Sequence, residues 1–217
     1  MLLIREFTLG PLGNNTYLLI EPTTREAVII DPSFECENVL VVLQQENLHL
    51  SQIWITHAHF DHIAGVQTLS DQIPGLVIGL HPDDFPLWQA QGGAPWFGWT
   101  LTLQVAPNLI FDHKQTLQLG STLIQVLHTP GHSPGHVIFY IPSMELAFCG
   151  DLIFYHGIGR TDLPGGDFDQ LTQSITHHIF SLPNQTRLFP GHGPATSVGE
   201  ERYNNPWLGK SVSKNSI

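Results

Sequence analysis

The sequence of 217 residues contains few cysteines and few charged residues, and these scarcities exclude several classes of protein. Cys36 and Cys149 are the only cysteines, which is too few for a disulfide framework, and they do not form a C-x-x-C pair. Charged residues make up 12% of the chain, against roughly 25% in an average soluble domain, whereas 41% of the residues are hydrophobic. The composition therefore predicts a large apolar core and two reduced thiols.

Basic residues and long apolar runs are also scarce. Eight Lys and Arg against nineteen Asp and Glu give a formal charge of -11, and no basic cluster is present to bind a phosphate backbone. No segment approaches the roughly 18 apolar residues of a membrane span, and Arg5 and Glu6 interrupt the segment where a signal peptide would be apolar. We therefore expect a cytoplasmic protein with no nucleic-acid or membrane partner. No pattern indicates an oligomeric state.

The apolar segments predict strands that alternate with helices in both halves of the chain. A length of 217 residues is below the size at which a core normally divides, so we expect one domain over residues 1–217. Strands are predicted over 16–20, 27–30, 52–56, 76–80, 116–119, 123–128, 137–141, 146–149 and 186–189, and helices over 35–47, about ten residues from His62, and 168–179. This order suggests two facing sheets with helices outside. Residues 91–108 are expected to form a long loop, a type of segment that is often functional.

Histidine, in contrast, is abundant, with thirteen residues. The segment THAHFDH, residues 56–62, places three histidines and an aspartate directly after a predicted strand. A lone loop histidine is usually solvated or structural, but packing does not require three imidazoles in six residues, and histidine is the commonest metal ligand. In an extended segment, His57 and His59 point to the same side, while Asp61 and His62 face a second position. The segment therefore predicts a metal site.

Three other strand ends carry residues of metal-ligand type. His132 lies in TPGHSPGH, Asp151 follows a strand directly, and His192 lies in PGH. His128 and His136 flank His132 and are also candidates, although the tight turn at the preceding glycine favours His132. Because the strand ends at one edge of a sheet converge, we expect one shared site.

The number of candidate ligands favours two metal ions over one. The candidates are His57, His59, Asp61, His62, His132, Asp151 and His192. One zinc ion takes three or four protein ligands, and the Asp151 carboxylate, unlike an imidazole, can bridge two ions. Two such ions would share a water and hold it as hydroxide at neutral pH, so we assign catalysis to Asp61 and Asp151. Zinc is the favoured metal, with iron and manganese as alternatives.

These ligand motifs resemble those of the metallo-β-lactamase superfamily, and within it the hydroxyacylglutathione hydrolases, or glyoxalase II. The segments HTPGHSPGH, CGDLIF, GIGRTDLPGGD, FPGHGPATSVGEER and NNPWL look like the short, single-domain branch of that group. The resemblance implies an α/β fold, a four-layer αββα sandwich of two mixed β-sheets with helices outside, and no C-terminal helical substrate domain.

The resemblance also implies a distribution of the ligands between the two ions. It implies His57, His59 and His132 on a first metal, Asp61, His62 and His192 on a second, and Asp151 between them. Asp31, in VIIDPS, resembles the family's carboxylate that orients a ligand histidine, and turn capping is the alternative role.

The function implied by the resemblance is hydrolysis of a small thioester, such as S-lactoylglutathione, by a metal-bridging hydroxide. A thiolate leaves readily because a thiol pKa is only about 8.5, so no separate general acid is required. The substrate would be a small molecule, and glutathione is one candidate thiol. The alternative is a mononuclear iron persulfide dioxygenase, with His57, His132 and Asp151 as its two-histidine, one-carboxylate ligand set.

Two features outside the ligand set have two interpretations each. Trp88, Trp96, Phe97 and Trp99 lie in or near a Gly- and Pro-rich segment, which slightly favours a cleft lining over core packing. Arg160 either forms an ion pair that fixes its loop or contacts the substrate.

Overall fold

A computed structural model of the protein describes residues 1–208, so residues 209–217 of the predicted domain lie outside the described residues. The first sheet has six strands in chain order: β1 (Leu3–Leu9), β2 (Asn14–Ile20), β3 (Glu26–Ile30), β4 (His49–Trp54), β5 (Val77–Leu80) and β6 (Leu109–Ile110). β1, β2 and β3 pair antiparallel, whereas β3, β4, β5 and β6 pair parallel. The first sheet is therefore mixed.

The second sheet is built from the second half of the chain. Its strands are β7 (Thr116–Leu119), β8 (Thr122–His128), β9 (Val137–Ile141), β10 (Leu146–Gly150), β13 (Arg187–Pro190) and β14 (Thr196–Ser197). Two short strands, β11 (Ile153–Phe154) and β12 (Gly157–Ile158), form a separate hairpin between β10 and β13. The spatial order is β14-β13-β10-β9-β8-β7, and only the pair of β10 and β13 is parallel.

Within residues 1–208, six α-helices accompany the two sheets. They are α1 (Glu37–Gln45), α2 (Phe60–Ile63), α3 (Val66–Gln72), α4 (Phe85–Gln89), α5 (Phe168–Ser174) and α6 (Val198–Asn204). A π-helical turn, Ile175–Ile179, continues α5. None of the helices in residues 1–208 combines the length and the apolar character needed to cross a lipid bilayer.

Three apolar clusters separate the elements into four layers. Between the sheets, Tyr17 packs on Phe148 with ring centroids 5.0 Å apart, and Trp54 packs on Phe139 at 5.5 Å. A second cluster joins the outer face of the first sheet to α1 and α3, and a third joins the outer face of the second sheet to α5, the π-turn and α6. Because both faces of the central strands are covered, β2 and β9 are buried along their whole length. The predicted αββα sandwich with two mixed sheets is confirmed.

Several local predictions were wrong. The strand placed at 52–56 is β4, which ends at Trp54, so the histidine segment follows an irregular stretch. The single helix predicted from His62 is two short helices, separated at Gly65, where a Cβ would lie 2.4 Å from the carbonyl oxygen of Ser33. The segment 91–108 is a loop only in part, since it begins with a 3₁₀-helix, Gln91–Phe97. The sequence analysis also missed β1 and α6.

Candidate metal centre

The fold brings all seven candidate ligands to one edge of the sandwich. The segment that follows β4 carries His57, His59, Asp61 and His62, and its aspartate and last histidine lie in α2. The second sheet supplies the other three: His132 between β8 and β9, Asp151 after β10, and His192 after β13. The site is therefore shared between the two sheets.

Three histidines form the first group. The Nε2 atom of His132 lies 2.9 Å from Nδ1 of His59 and 3.2 Å from Nε2 of His57. All three side chains are buried. These separations approach the roughly 3.3 Å expected between two nitrogen ligands that lie about 2.05 Å from a tetrahedral zinc ion.

Hydrogen bonds on the far side of two rings fix which nitrogen faces the group. Nδ1 of His132 donates to the carbonyl oxygen of Arg160 at 2.8 Å, which leaves Nε2 as the lone-pair nitrogen. Nδ1 of His57 lies 3.1 Å from Oγ1 of Thr56, and that hydroxyl itself donates to Asp31, so it accepts from the ring. The network thus directs lone pairs of His57 and His132 at each other. Such an arrangement repels unless a cation lies between the rings.

Asp61, His62 and His192 form the second group. Oδ2 of Asp61 lies 3.1 Å from Nε2 of His192 and 3.7 Å from Nε2 of His62. His62 is fully buried and its Nε2 has no hydrogen-bond partner within the described residues. His192 is the most exposed of the seven, with 28% of its side chain accessible. The second group is thus more open to solvent than the first.

Asp151 lies between the two groups. Its Oδ2 is 3.6 Å from Nε2 of His132 and 3.7 Å from Nε2 of His192. Its Oδ1 is 3.4 Å from Nε2 of His62. One carboxylate therefore reaches a histidine of the first group and two of the second, as a bridging ligand must.

The electrostatics of the site distinguish the two groups. In the first group, burial lowers the pKa of His59 to about 3 and moves those of His57 and His132 in the same direction, so the imidazoles are neutral. In the second group, burial opposes the charge on His62, but the carboxylates of Asp151, Asp61 and Asp31 raise its pKa. Neutral imidazoles and ionised carboxylates are the forms in which these side chains bind metals.

The donor set fits divalent metal ions. Nε2 of His62 and Oδ1 of Asp151 are buried and have no hydrogen-bond partner within the described residues. Leaving a buried polar atom unpaired costs about 1–3 kcal/mol, so two such atoms in one site require an explanation. A divalent cation held by the second group would satisfy both atoms.

A buried carboxylate outside the two groups orients His62. Oδ2 of Asp31 accepts from Nδ1 of His62 at 2.9 Å and from the Thr56 hydroxyl at 2.6 Å, while Oδ1 accepts from the Thr56 backbone N–H at 2.7 Å. Asp31 adopts a φ of 50°, a left-handed conformation that aspartate tolerates better than most residues. Gly191 also permits close packing here, because a Cβ at that position would lie 2.3 Å from Oδ1 of Asp151.

A comparison of the sequence with models of protein families finds a match that includes this site. The model of the metallo-beta-lactamase superfamily matches residues 9–192, a range that contains every candidate ligand. The chain belongs to the metallo-beta-lactamase superfamily. This membership makes it a relative of metallo-hydrolases and supports an enzymatic role.

Two proteins of similar sequence align with most of the length of this superfamily member. The chain is 35% identical over 208 residues to a protein called probable metallo-hydrolase YqgX of Bacillus subtilis, covering 94% of this chain and 96% of that protein. It is 33% identical over 192 residues to the hydroxyacylglutathione hydrolase GloC of Haemophilus influenzae, covering 88% and 91% respectively.

Three solved structures resemble the fold of this superfamily member closely. The B3 metallo-beta-lactamase BLEG-1 has a TM-score of 0.88 and 36% identity, with 95% of this chain and 99% of that chain covered. TTHA1623 in a di-iron-bound form has a TM-score of 0.84 and 41% identity, covering 94% and 100%. ETHE1 from Myxococcus xanthus has a TM-score of 0.79 and 28% identity, covering 96% and 86%.

A cleft of about 510 Å³ opens onto the centre of this superfamily member. Phe60, Phe97 and Trp99 line one side, and the ring of Phe60 lies 5.5 Å from that of Phe97 and 6.5 Å from that of Trp99. Two of the four aromatic residues predicted for a cleft are therefore placed there. Trp88 is instead buried in the outer cluster of the first sheet, and Trp96 is exposed outside the cleft.

Arg160 forms the predicted ion pair and also lies at the cleft. It lines the cleft and forms a two-point ion pair with Asp162, whose oxygens lie 2.7 and 2.8 Å from Nε and Nη2. More than half of the Arg160 side chain is exposed, so this pair adds little stability by itself. The larger contribution of Arg160 to the site is its carbonyl oxygen, which orients His132.

The other two histidines near His132 do not join either group. His136 is buried, with Nδ1 2.9 Å from the hydroxyl of Thr129, and its ring lies 5.1 Å from that of His57. His128 stacks on His81 instead, with ring centroids 3.9 Å apart.

Proposed function

We propose that the protein is a metal-dependent hydrolase that cleaves small thioesters, such as S-lactoylglutathione, with two divalent ions, zinc being the favoured metal. The observation that carries the proposal is the position of Asp151, within 3.7 Å of histidines from both groups. A carboxylate in this position suits two adjacent ions better than one. The similarity to a protein named as a hydroxyacylglutathione hydrolase supports the thioester as substrate.

Each group would hold one ion, with His57, His59 and His132 at the first and Asp61, His62 and His192 at the second. When bound, the ions would supply Lewis acidity for the thioester carbonyl and lower the pKa of a water. The protein's own part is to keep the three imidazoles of the first group neutral through burial and to keep the carboxylates ionised beside His62. Asp151 and Asp61 place negative charge on the cleft side of the centre, and both line the cleft.

The cleft suits a small, largely apolar substrate. Its volume lies within the 300–1,000 Å³ typical of small-molecule sites. Phe60, Phe97 and Trp99 offer an apolar wall, and burial of an acyl or thiol substituent against it would exclude water from the reacting carbonyl. Among the described residues, Arg160 is the only basic side chain besides histidine that lines the cleft. We therefore propose glutathione as one acceptable thiol rather than a required one.

No general acid is needed for the leaving group of this reaction. A thiolate is stable near neutral pH because a thiol pKa is about 8.5, so the departing sulfur does not have to be protonated as it leaves. His192 is the most accessible imidazole of the centre, and its side chain lines the cleft. Its hydrogen bond to Asp61 raises its pKa against the effect of burial. The Asp61–His192 pair is thus held at the solvent side of the site.

A mononuclear iron persulfide dioxygenase is the second candidate. The similarity to ETHE1 over 96% of the chain favours it, and His57, His132 and Asp151 lie close enough to act as a two-histidine, one-carboxylate set. Such an enzyme needs one ion, however, and does not account for the buried, unpaired Nε2 of His62. We therefore prefer the hydrolase.

Metal content and turnover, measured on the same preparation, test the proposal. Protein purified without added metal is analysed for its elements and assayed with S-lactoylglutathione and with glutathione persulfide under an oxygen electrode. About two ions per chain with thioester hydrolysis is the expected result. One iron per chain, with oxygen uptake and no hydrolysis, would refute the hydrolase and favour the dioxygenase.

A further inference from the structure

A second buried carboxylate, absent from the predicted site, contacts two loops of the metal centre. Asp84 lies in the turn between β5 and α4 and is fully buried. Its Oδ2 accepts from the backbone N–H of Ala58 at 2.8 Å and from Oγ of Ser133 at 2.8 Å, and its Oδ1 accepts from the backbone N–H of Gly135 at 2.6 Å. Both oxygens of Asp84 therefore act as hydrogen-bond acceptors, although burial raises the pKa of this carboxyl.

The three partners of Asp84 flank only ligands of the first group. Ala58 separates His57 from His59, and Ser133 follows His132 directly. The loop after β4 and the loop between β8 and β9 come from different sheets, and one carboxylate joins them. Asp84 has no hydrogen bond to the residues of the second group, whereas Asp31 bonds to His62 of that group. Asp84 thus contacts loops of the first group alone, whereas Asp31 contacts His62 directly and His57 through the Thr56 hydroxyl.

The turn that carries Asp84 also packs directly against the loop between β8 and β9. A Cβ at Gly135 would lie 2.5 Å from the backbone nitrogen of Asp84 and 2.8 Å from its Cβ, so the loop that carries His132 contacts the turn directly. On the outer side, His81 stacks on His128 at 3.9 Å with an angle of 11° between the rings. Nε2 of His128 also donates to the carbonyl oxygen of Pro134 at 2.8 Å. The turn therefore holds this loop from two sides.

The stacked histidines are not themselves a convincing metal site, although Asp83 lies within 4 Å of both. Nearly parallel rings 3.9 Å apart direct their ring nitrogens alongside one another and not towards a shared point. Nε2 of His128 is already used as a donor. The pair is better explained as packing that fixes the turn on which Asp84 lies.

We propose that Asp84 is a positioning residue that sets the metal affinity of the first group selectively. It holds the two loops at the separation at which the ring nitrogens of His57, His59 and His132 converge. The inference rests on the metal centre of the proposed function but not on its substrate. Its consequence is that the ion of the first group can be weakened through Asp84 while the second group keeps its ligands in place.

The test is the isosteric variant Asp84→Asn, titrated with Zn²⁺ in competition with a chromophoric chelator. In this variant an amide N–H faces at least one of the three groups that donate to Asp84 in the native protein. Two donors that face each other repel, so the two loops should shift. One of the two zinc affinities should fall about 10–100-fold while the other stays unchanged. Ser133→Ala removes one hydrogen bond of the three and should produce a smaller fall in the same affinity.

Nitrogen NMR of the histidine rings identifies which group is affected. In Asp84→Asn, the ring signals of His57, His59 and His132 should fail to shift at zinc concentrations that still shift those of His62 and His192. A variant that weakens both groups equally, weakens neither, or weakens only the second would overturn the proposal. A structural role alone would lower stability without this selectivity.

Glu201→Gln is the matched control. Glu201 is also fully buried and accepts three hydrogen bonds, from Thr196, His156 and Asn205, but none of these is a candidate ligand. This variant should lower the melting temperature and retain both zinc affinities. Wild-type protein that binds zinc without hydrolysing thioesters would refute the proposed function and leave the test of Asp84 intact, because that test measures zinc and not turnover.

Discussion

Replacement of Asp31 by asparagine should weaken zinc binding at the second group by changing the tautomer of His62. In the native site, Oδ2 of Asp31 accepts the Nδ1 proton of His62 at 2.9 Å, which leaves Nε2 free to face Asp61 and Asp151. In the variant, an amide group replaces one of the two carboxylate oxygens. Its N–H then faces either the Nδ1 proton of His62 or the backbone N–H of Thr56, which in the native protein donates to Oδ1 of Asp31 at 2.7 Å. The first conflict is relieved if the His62 proton moves to Nε2, but a protonated Nε2 cannot bind a metal.

The size of the effect follows from the hydrogen bond that the substitution disrupts. Altering a hydrogen-bond partner of a ligand histidine typically costs 10–100-fold in metal affinity, which corresponds to about 1.4–2.8 kcal/mol. Asparagine keeps the tolerance of aspartate for the φ of 50° at this position, so the backbone adds no new strain. One mismatched buried pair should lower the stability of the metal-free protein by about 1–3 kcal/mol.

Zinc titration against a competing chelator, with nitrogen NMR of His62, provides the assay for Asp31→Asn. The expected result is a larger loss of zinc affinity at the second group than at the first, and a His62 ring that carries its proton on Nε2 and not on Nδ1 before zinc is added. Asp84→Asn is the reciprocal control, since it should affect the other ion. Two ions bound with wild-type affinity, or a second ion lost while His62 remains protonated on Nδ1, would refute this reasoning.

Three other outcomes can be measured directly. Asp151→Ala should lower the zinc content of both groups and abolish thioester hydrolysis, and retained turnover with two bound ions would contradict a shared carboxylate. The metal-free protein should lose stability as the pH falls from about 6.5 towards 3. Burial lowers the pKa of His59 to about 3 in the folded protein, whereas the same histidine in the unfolded chain takes up a proton below about 6.5. Denaturant titrations at several pH values should therefore show a free energy of unfolding that falls with pH, and a flat profile would contradict this. Phe97→Ala and Trp99→Ala should each raise KM for apolar thioesters about tenfold. Each change would leave roughly 50 Å² of apolar substrate surface in water, at a cost of about 25 cal/mol per Å². Trp96 lies outside the cleft, so Trp96→Ala should leave KM unchanged.

The seven candidate ligands could be predicted because each follows a strand directly or within a short segment, and because strand ends at one edge converge. Asp84 could not be predicted in the same way. HPDD reads as an ordinary turn before a helix, and the three partners of Asp84 lie 26 to 51 residues away in the chain. A contact of this kind leaves no local pattern, since neither the spacing nor the residue types around it differ from those of a capping turn.

The strands and helices also differ in how well their local sequence predicts them. The central strands were predicted because both of their faces are buried, which produces continuous apolar runs such as Val137–Ile141. β1 is an edge strand with most of its residues at least partly exposed, so its apolar signal is weak. In α6 only Val198 and Glu201 are buried, and one of them is a charged residue held by hydrogen bonds. Its helical periodicity in apolar residues is therefore absent.

The division of the site between the two sheets makes metal binding a cross-link of the fold. His59 and His132 are 73 residues apart in the chain and lie on segments that extend from different sheets. An ion bound to both would close that long loop, and its binding free energy would be added to the free energy of unfolding. Chelation should therefore loosen the contact between the halves of the sandwich as well as stop the chemistry.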